Sequence, residues 1–511
     1  MKLQTLLILL LAPFSAADLP EDLVPEDALA IVSIEGGSFD SGFQQVIQVL
    51  YESEDLIAEL LHRFVQDHNA VDTSQDILLI LQPTELGADQ KPAGMFGPTP
   101  HVILICKPKE GQQLQIKPFG SLQSSTVHDG WFIGSGSTHW SPPSSGHASI
   151  LDLLPEGQVS AVIRFGSLWS KYGSLVQMVG GMQIGGMSKP GLDGVIDPAT
   201  RAQTIAANKA FRELMLWCAK VDVISSSADI ENYNLTFDLD IAMKDGMAME
   251  GSNASMLSMA SLLTDDMIQY AMTGEITRIL MEFDPAMTGG LGTQFDLPPI
   301  PAKQLMPLAE LTNDNVVAYG LNLQNGLTIS SLVAVDNQRK YLAMIPGLMD
   351  SLEDYFEDNY AMQLKKAKSP KTTWDLKLVG SSNVDTKMME AVFPRGDQWS
   401  FKKLRSDRIS FSIGPKNWKP FAQSHSTPLS DLIDRHDDVA IDFAMCVDAR
   451  SFLSGFLKLA HSAGTVGQDA LIPSTPPARV SLMVGRNESS IISELKADLV
   501  GIITLKQETS K

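Results

Sequence analysis

Nucleophilic chemistry is most plausible in one short segment, where Ser135 and Ser137 precede His139. A serine hydroxyl beside an imidazole can form the nucleophile–base pair of a hydrolase. The same segment follows an apolar strand and is rich in glycine and serine, which turns favour for conformational reasons. The chain has no Gly-x-Ser-x-Gly elbow and no Ser-x-x-Lys set that stands out. We therefore interpret the segment as a turn and assign no catalytic residue.

Carboxylate residues cluster at two places in the sequence. One is Asp265–Asp266, and the other is a group around His436 that contains Asp434, Asp437 and Asp438. Such oxygen ligands could hold Ca²⁺. The ligand alternation of a calcium loop is absent, however, and the chain contains neither His-Glu-x-x-His nor Cys-x-x-Cys. Both groups lie just before a predicted strand, where acidic turns are common. We assign no metal-ligating and no cofactor-binding residue.

Methionine is frequent, with 23 residues in the chain. Thioethers can bind Cu(I), but methionines more often fill cores or form adaptable contact surfaces. We therefore expect core filling, or a surface for an apolar ligand or partner, and no cofactor. The methionines that cluster are Met178, Met182 and Met187, followed by Met243, Met247, Met249, Met256, Met259, Met267 and Met272.

The elements that must position these residues repeat one pattern, an acidic turn followed by an apolar run and then helical spacing. The spacing between copies is unequal, which excludes a solenoid or propeller of fixed period. We predict that each turn precedes a sheet strand and that the helix after it covers that sheet. The five turns end at Asp27, Gly157, Asp266, Asp314 and Asp438.

Apolar periodicity predicts two helices in the first half of the chain. The segment Gly180–Gly191 between them is rich in glycine and methionine, and we expect it to be irregular. The inward faces would hold Leu168, Tyr172, Leu175, Val176 and Val179 in the first helix, and Phe211, Met215 and Cys218 in a helix over Ala199–Lys220. The expected fold class is α+β, with two halves at residues 18–250 and 251–511. Each half would be a mainly antiparallel sheet covered by amphipathic helices.

The N-terminus has the features of a secretory signal peptide over residues 1–17. Lys2 is followed by Leu3–Leu11, which is apolar apart from Gln4 and Thr5, and Ser15–Ala17 fits the small-residue cleavage rule. We expect an exported protein, periplasmic or extracellular, with no membrane span after cleavage, because no internal run approaches the roughly 18 apolar residues that a span requires. The cysteines Cys106, Cys218 and Cys446 lie in apolar surroundings, and we interpret them as three buried thiols.

Overall charge limits the choice of partner. The formal net charge is −21 at pH 7. Nucleic acid and anionic lipid both require clustered lysine and arginine. This net charge therefore argues against nucleic acid, and equally against an anionic lipid surface, as the main partner.

The strand-entry pattern also resembles a known group of proteins. It occurs as Leu19-Pro20-Glu21-Asp22 and Val24–Val32, with echoes at Leu154–Gly157 and Asp129–Ile133. In these motifs the chain resembles large exported proteins of unknown function in planctomycete-type bacteria. The resemblance implies a bacterial, exported protein and transfers no active site.

Two functions are compatible with these observations, besides a scaffold stabilised by a divalent cation. The first is an exported, non-enzymatic protein that binds a partner protein or an apolar ligand. The alternative is an extracytoplasmic hydrolase whose site is assembled from residues distant in sequence. The absence of a catalytic motif favours the non-enzymatic interpretation.

Overall fold

The structure is a computed structural model of the 511-residue chain. It describes residues 21–37, 61–83, 100–118, 120–138, 148–187, 198–231, 233–246, 253–264, 267–273, 317–323, 326–335, 337–360, 362–367, 372–378, 386–393, 397–405, 408–415, 421, 426–468, 471–473 and 476–509. Within these ranges the chain divides into two units. Unit 1 contains Met1–Met247 with Glu488–Leu499, and unit 2 contains Ala248–Asn487 with Val500–Lys511.

Unit 1 is built on nine antiparallel strands, numbered here along the whole chain. Their spatial order is β4-β5-β3-β2-β1-β6-β7-β8-β18. Two helices, α1 (Phe165–Met187) and α2 (Pro198–Lys220), lie between β6 and β7. The strands are β1 (Ala30–Ile34), β2 (Ile77–Gln82), β3 (His101–Cys106), β4 (Ser124–His128), β5 (Trp131–Ser135), β6 (Val159–Ile163), β7 (Val221–Glu231), β8 (Asn234–Met243) and β18 (Ser490–Asp498).

Both faces of the unit 1 sheet are buried at its centre. Alternate residues of a strand point to opposite faces, and in β2 Ile77 and Leu79 join one core while Leu78 and Ile80 join the other. This explains why β2 and β3 are nearly continuous apolar runs rather than alternating ones. The second face is covered mainly by the lead-in segment 23–28 and by residues 148–151, which are not α-helical.

Unit 2 also contains nine antiparallel strands, in the order β12-β13-β14-β15-β11-β10-β9-β16-β17. Its core includes the apolar face of helix α4 (Gln338–Tyr360), with Tyr341, Ile345, Met349 and Leu352 buried. The strands are β9 (Ile268–Met272), β10 (Val317–Asn322), β11 (Thr328–Ala334), β12 (Met362–Lys366), β13 (Thr373–Leu378), β14 (Asp397–Arg405), β15 (Arg408–Pro415), β16 (Ala440–Asp448) and β17 (Arg479–Arg486). The other helices are α3 (Asn253–Ala260), α5 (Thr386–Val392), α6 (Pro428–Asp434), α7 (Ala449–Ser462) and α8 (Leu499–Thr509), of which α8 follows β18.

The two units follow the same path through part of their sheets. In unit 1, β1 pairs with β2 and β6, β2 with β3, β3 with β5, and β6 with β7. In unit 2, β9 pairs with β10 and β16, β10 with β11, β11 with β15, and β16 with β17. The β6–β7 connection therefore has a counterpart between β16 and β17.

The fold class expected from the sequence is wrong. The described part of the chain is mostly antiparallel sheet, with eighteen strands and few helices, and it is not two sheets each covered by amphipathic helices. Periodicity shows that a helix has an apolar face but not what that face contacts. In α1 the predicted inward residues Val176 and Val179 are exposed, and irregular segments cover much of the unit 1 sheet.

The strand-entry pattern is confirmed as a strand signal. Strands β1, β6, β9, β10 and β16 begin within three residues of the five predicted turns. Asp448 ends β16 and caps α7, because its Oδ1 accepts a hydrogen bond from the Ser451 backbone N–H at 3.2 Å. The prediction that Gly180–Gly191 is irregular is wrong as far as Met187, because α1 continues through both Gly180 and Gly181. Residues 188–191 lie outside the described residues.

Candidate functional site

The feature that stands apart from the sheet is the α1–α2 helix pair, defined as Phe165–Met187 and Pro198–Lys220. Both helices lie in the connection from β6 to β7. The equivalent connection in unit 2 contains the 14-residue helix α7. Since the shorter connection also joins two neighbouring antiparallel strands, joining the strands does not require two helices of 23 residues.

The two helices contact each other through a glycine. A β-carbon added at Gly180 would overlap the ring of Phe211, so the missing side chain lets the ring approach the backbone of α1. Phe211, Met215 and Cys218 follow the i, i+4, i+7 spacing of one helix face, and Cys218 is buried. Burial raises the pKa of the Cys218 thiol. The inward face predicted for α2 agrees with these observations.

The helix pair is fixed to the sheet at the end of α2. Lys244, just after β8, donates a hydrogen bond from Nζ to the carbonyl oxygen of Ala219 at 2.9 Å. Its backbone N–H donates to the carbonyl oxygen of Lys220 at 2.8 Å. These bonds satisfy carbonyl groups that a helix C-terminus leaves open. At the start of α1, Phe165 and Trp169 stack with ring centroids 5.9 Å apart.

Away from these contacts, the helix pair exposes large apolar side chains. Seven of the thirteen exposed large apolar side chains in the described part of the chain belong to it, with exposed fractions between 36% and 63%. Isolated exposed apolar residues are normal, but a concentration of them marks an interaction surface. The residues are Val176, Val179 and Met182 on α1, and Ile205, Leu214, Leu216 and Trp217 on α2.

The charge of the helix pair is opposite to that of the whole protein. Its sequence holds five basic residues and one acidic residue, which gives +4. The chain as a whole carries −21. Lys171, Lys209, Arg212 and Lys220 are exposed, as is the single carboxylate, Glu213.

Basic and apolar side chains share one face of α2. Ile205, Lys209, Arg212, Leu216 and Lys220 are separated by three or four residues, which places them in one row on a helix. All five are exposed, and we call this row the basic stripe. Leu214 and Trp217 lie on other sides of the same helix. The exposed apolar surface of α2 therefore extends around the helix rather than along a single seam.

The hydroxyl group considered for catalysis has a structural role. Ser135 is buried, and its Oγ accepts a hydrogen bond from the backbone N–H of Ser137 at 3.0 Å. Ser137 in turn accepts a hydrogen bond on its carbonyl oxygen from Ser124 Oγ at 2.6 Å. These hydrogen bonds stabilise the turn that follows β5. His139 lies outside the described residues.

The acidic group around His436 lies at the entry to β16. Asp434, Asp437 and Asp438 are exposed, and the backbone N–H of His436 donates to Ile433 O at 3.2 Å. This geometry is that of the turn predicted from the sequence. Asp265 and Asp266 lie outside the described residues. Among the described residues, no group of three or more histidine, cysteine or acidic side chains is arranged to hold a metal ion.

The methionines and cysteines divide between core and surface. Met256, Met259, Met267 and Met272 are buried, whereas Met182 is exposed on α1. All three cysteines are free; Cys106 and Cys218 are buried, and Cys446 is half-buried. Burial raises the pKa values of Cys106 and Cys446 to about 12, which keeps these thiols protonated and unreactive.

Sequence reasoning missed the exposed residues of α2. The spacing of α2 predicts its inward face correctly and leaves Leu214, Leu216 and Trp217 outside that face. A usable signal was present, because apolar residues on several sides of one helix predict either complete burial or a contact surface. The local charge of +4 was hidden in the average over 511 residues.

Comparison with known proteins adds little to this description. Among the described helices, none has both the length and the hydrophobicity needed to cross a bilayer. No protein-family model matches the chain, and no curated protein matches it. A solved structure titled "Structure of crystal form I of TP0453" aligns with 51% of this chain and 98% of its own, at 6% identity and a TM-score of 0.22. A likeness of that size supports no argument about fold or function.

Proposed function

We propose that this is an exported, non-enzymatic binding protein that docks on an apolar partner surface through the α1–α2 helix pair. The observation that supports this is the concentration of exposed apolar side chains on a single connection of the fold. Leaving such side chains in water has a free-energy cost that docking would remove. A contact covering them would gain on the order of several kcal/mol from apolar burial alone.

The comparison of the two units supports the same function. Helix α7 occupies the equivalent connection, and its caps and buried face explain its presence: Ser454, Gly455, Leu459 and Ala460 are buried. The α1–α2 helix pair instead presents many of its apolar side chains to solvent. An extension that the strand connection does not require, and that exposes apolar surface, is best explained by a partner.

No observation on the described residues specifically favours the hydrolase alternative, which stays a prediction from the sequence. Ser135, whose hydroxyl was the candidate nucleophile, is buried, and its Oγ accepts a hydrogen bond from the backbone N–H of Ser137.

An uncharged apolar probe tests the proposed function. The chain lacking residues 1–17 is mixed with micelles of a neutral alkyl maltoside, and binding is measured by size-exclusion chromatography with light scattering. We expect the wild type to bind micelles and the variant Leu214→Gln/Leu216→Gln/Trp217→Gln to lose about tenfold or more in binding, since each side chain contributes about 1 kcal/mol when partly buried.

The matched control replaces three equally exposed apolar residues outside the helix pair, as Val127→Gln/Leu404→Gln/Phe456→Gln. We expect this variant to bind like the wild type. Thermal unfolding of each variant verifies that the sheet is intact. The proposed function would be overturned if the wild type did not bind micelles, or if the control variant lost as much binding as the helix-pair variant.

A further inference from the structure

Resting on the function proposed above, we infer that the apolar surface on which the α1–α2 helix pair docks is that of an anionic lipid bilayer. Three features of the pair lead to this partner: its charge, the mixture of residues in the basic stripe, and the distribution of apolar side chains around α2.

Charge selects a negatively charged partner. The pair carries +4, while the rest of the chain carries the balance of the −21 total, or −25. Each lysine or arginine near an anionic leaflet increases the binding affinity by up to about tenfold. The acidic remainder would be repelled by the same leaflet. The charge distribution therefore orients the protein with the helix pair toward the lipid.

The basic stripe has the composition of an interfacial helix. In such helices, apolar side chains enter the acyl boundary while lysine and arginine extend their heads to the phosphate groups. Ile205 and Leu216 supply the apolar part, and Lys209, Arg212 and Lys220 supply the cations, each about one turn from one of these apolar residues. Trp217 adds an aromatic ring with a polar N–H, a residue type that favours the membrane–water interface.

The distribution around α2 favours a fluid partner over a folded one. Leu216 and Leu214 are two residues apart, so their side chains point to nearly opposite sides of the helix. A rigid protein groove covers one face of a docked helix and would leave one of these leucines in water. Lipid chains and head groups can surround several sides of a helix that lies in the interface.

Vesicle flotation tests the inference with the chain lacking residues 1–17. We expect binding to vesicles of phosphatidylethanolamine with phosphatidylglycerol, and at least about tenfold weaker binding to vesicles of phosphatidylcholine alone. Lys209→Glu/Arg212→Glu should weaken binding to the anionic vesicles by at least about tenfold. Raising the salt concentration to about 0.5 M should weaken wild-type binding, because the Debye length shortens.

The matched control is Lys365→Glu/Lys366→Glu, which reverses two exposed lysines on β12 and changes the net charge equally. We expect it to bind anionic vesicles like the wild type. Equal effects of the two double variants would show a response to net charge alone and would overturn the inference.

The outcomes also separate this inference from the proposed function. Binding to neutral micelles without binding to anionic vesicles would overturn the lipid partner and leave the docking surface standing. Self-association in sedimentation velocity that disappears in Lys209→Glu/Arg212→Glu, without vesicle binding, would replace the bilayer by a second copy of the chain. Failure with both micelles and vesicles would overturn both proposals.

Discussion

Phe211 of α2 packs directly over Gly180 of α1, at a position where any β-carbon would overlap its ring. At the neighbouring residue, Gly181, no described atom beyond its chain neighbours and its own helix backbone lies within 4 Å of the place where a β-carbon would be. Two adjacent glycines in one helix therefore face entirely different surroundings, and one of them sets the separation of α1 and α2.

We predict that Gly180→Ala destabilises the helix pair whereas Gly181→Ala does not. The alanine at 180 forces the Phe211 ring to move, at a cost of about 1–3 kcal/mol. At 181 the alanine should be neutral or stabilise by up to about 1 kcal/mol, since alanine is the better helix former. Alkylation of Cys218, which is buried and lies on the same face of α2 as Phe211, would report loosening of the pair in native protein. Equal alkylation rates in the two variants would contradict the prediction.

The side chain of Asn253 joins the start of α3 to the entry of β16. Its Oδ1 accepts from the Ile441 N–H at 2.9 Å, and its Nδ2 donates to the carbonyl oxygens of Val439 at 2.5 Å and His436 at 3.2 Å. Asn253→Asp replaces the donor with an acceptor facing two carbonyl groups. We expect a loss of about 2–3 kcal/mol in the free energy of unfolding, measured by urea denaturation.

Asn253 also begins an Asn-Ala-Ser sequence of the glycosylation type. A glycan would occupy the nitrogen that makes two hydrogen bonds, so we expect this asparagine to stay unmodified in folded protein. Ser255→Ala is the matched control, because it destroys the acceptor sequence and keeps the Asn253 side chain. Stability of Ser255→Ala as low as that of Asn253→Asp would refute the structural role.

The carboxyl group of Asp397 makes the stability of the folded protein depend on pH. The residue is buried at the start of β14, and burial raises the pKa of its carboxyl group from 3.8 to about 6. The folded state therefore favours the protonated form, so this contribution to stability is complete below about pH 4 and is lost as the pH rises through about 6. Asp397→Asn should stabilise the protein by about 1–2 kcal/mol at pH 7 and have little effect at pH 4.

The chain contains 60 acidic residues, so the quantity to measure is the difference in melting temperature between Asp397→Asn and wild type across pH 4–8. Asp437→Asn removes one charge from an exposed carboxylate and controls for net charge. A difference for Asp397→Asn that does not grow between pH 4 and pH 7 would show that the carboxyl is not held in its protonated form.

Local sequence signals located strands better than they described packing. The acidic turns before β1, β6 and β16 are confirmed because turn chemistry and alternation act within a few residues. The sequence does not predict the helical conformation of the glycine-rich end of α1, because Gly180 is explained by the ring of Phe211, 31 residues further along the chain. Contacts between residues so far apart in the chain produce no periodic pattern that a single sequence could reveal.

The candidate surface was harder to foresee for a related reason. Val176 and Val179 satisfy helical spacing whether they face a core or solvent. Which of the two applies depends on how much sheet remains uncovered, and in unit 1 the segments 23–28 and 148–151 already fill one face. Composition averaged over the whole chain also concealed a basic segment in an acidic protein.

The repeated strand path has an evolutionary consequence. Duplication of an ancestral half would give the chain two copies of the same strand connection, of which one is enough to preserve the original arrangement. On that origin the copy between β16 and β17 would have kept a short helix, while the copy between β6 and β7 would have been free to lengthen and acquire new residues. A relative of this protein could therefore exchange or lose its α1–α2 segment and keep its sheet, so that partner choice would evolve separately from folding.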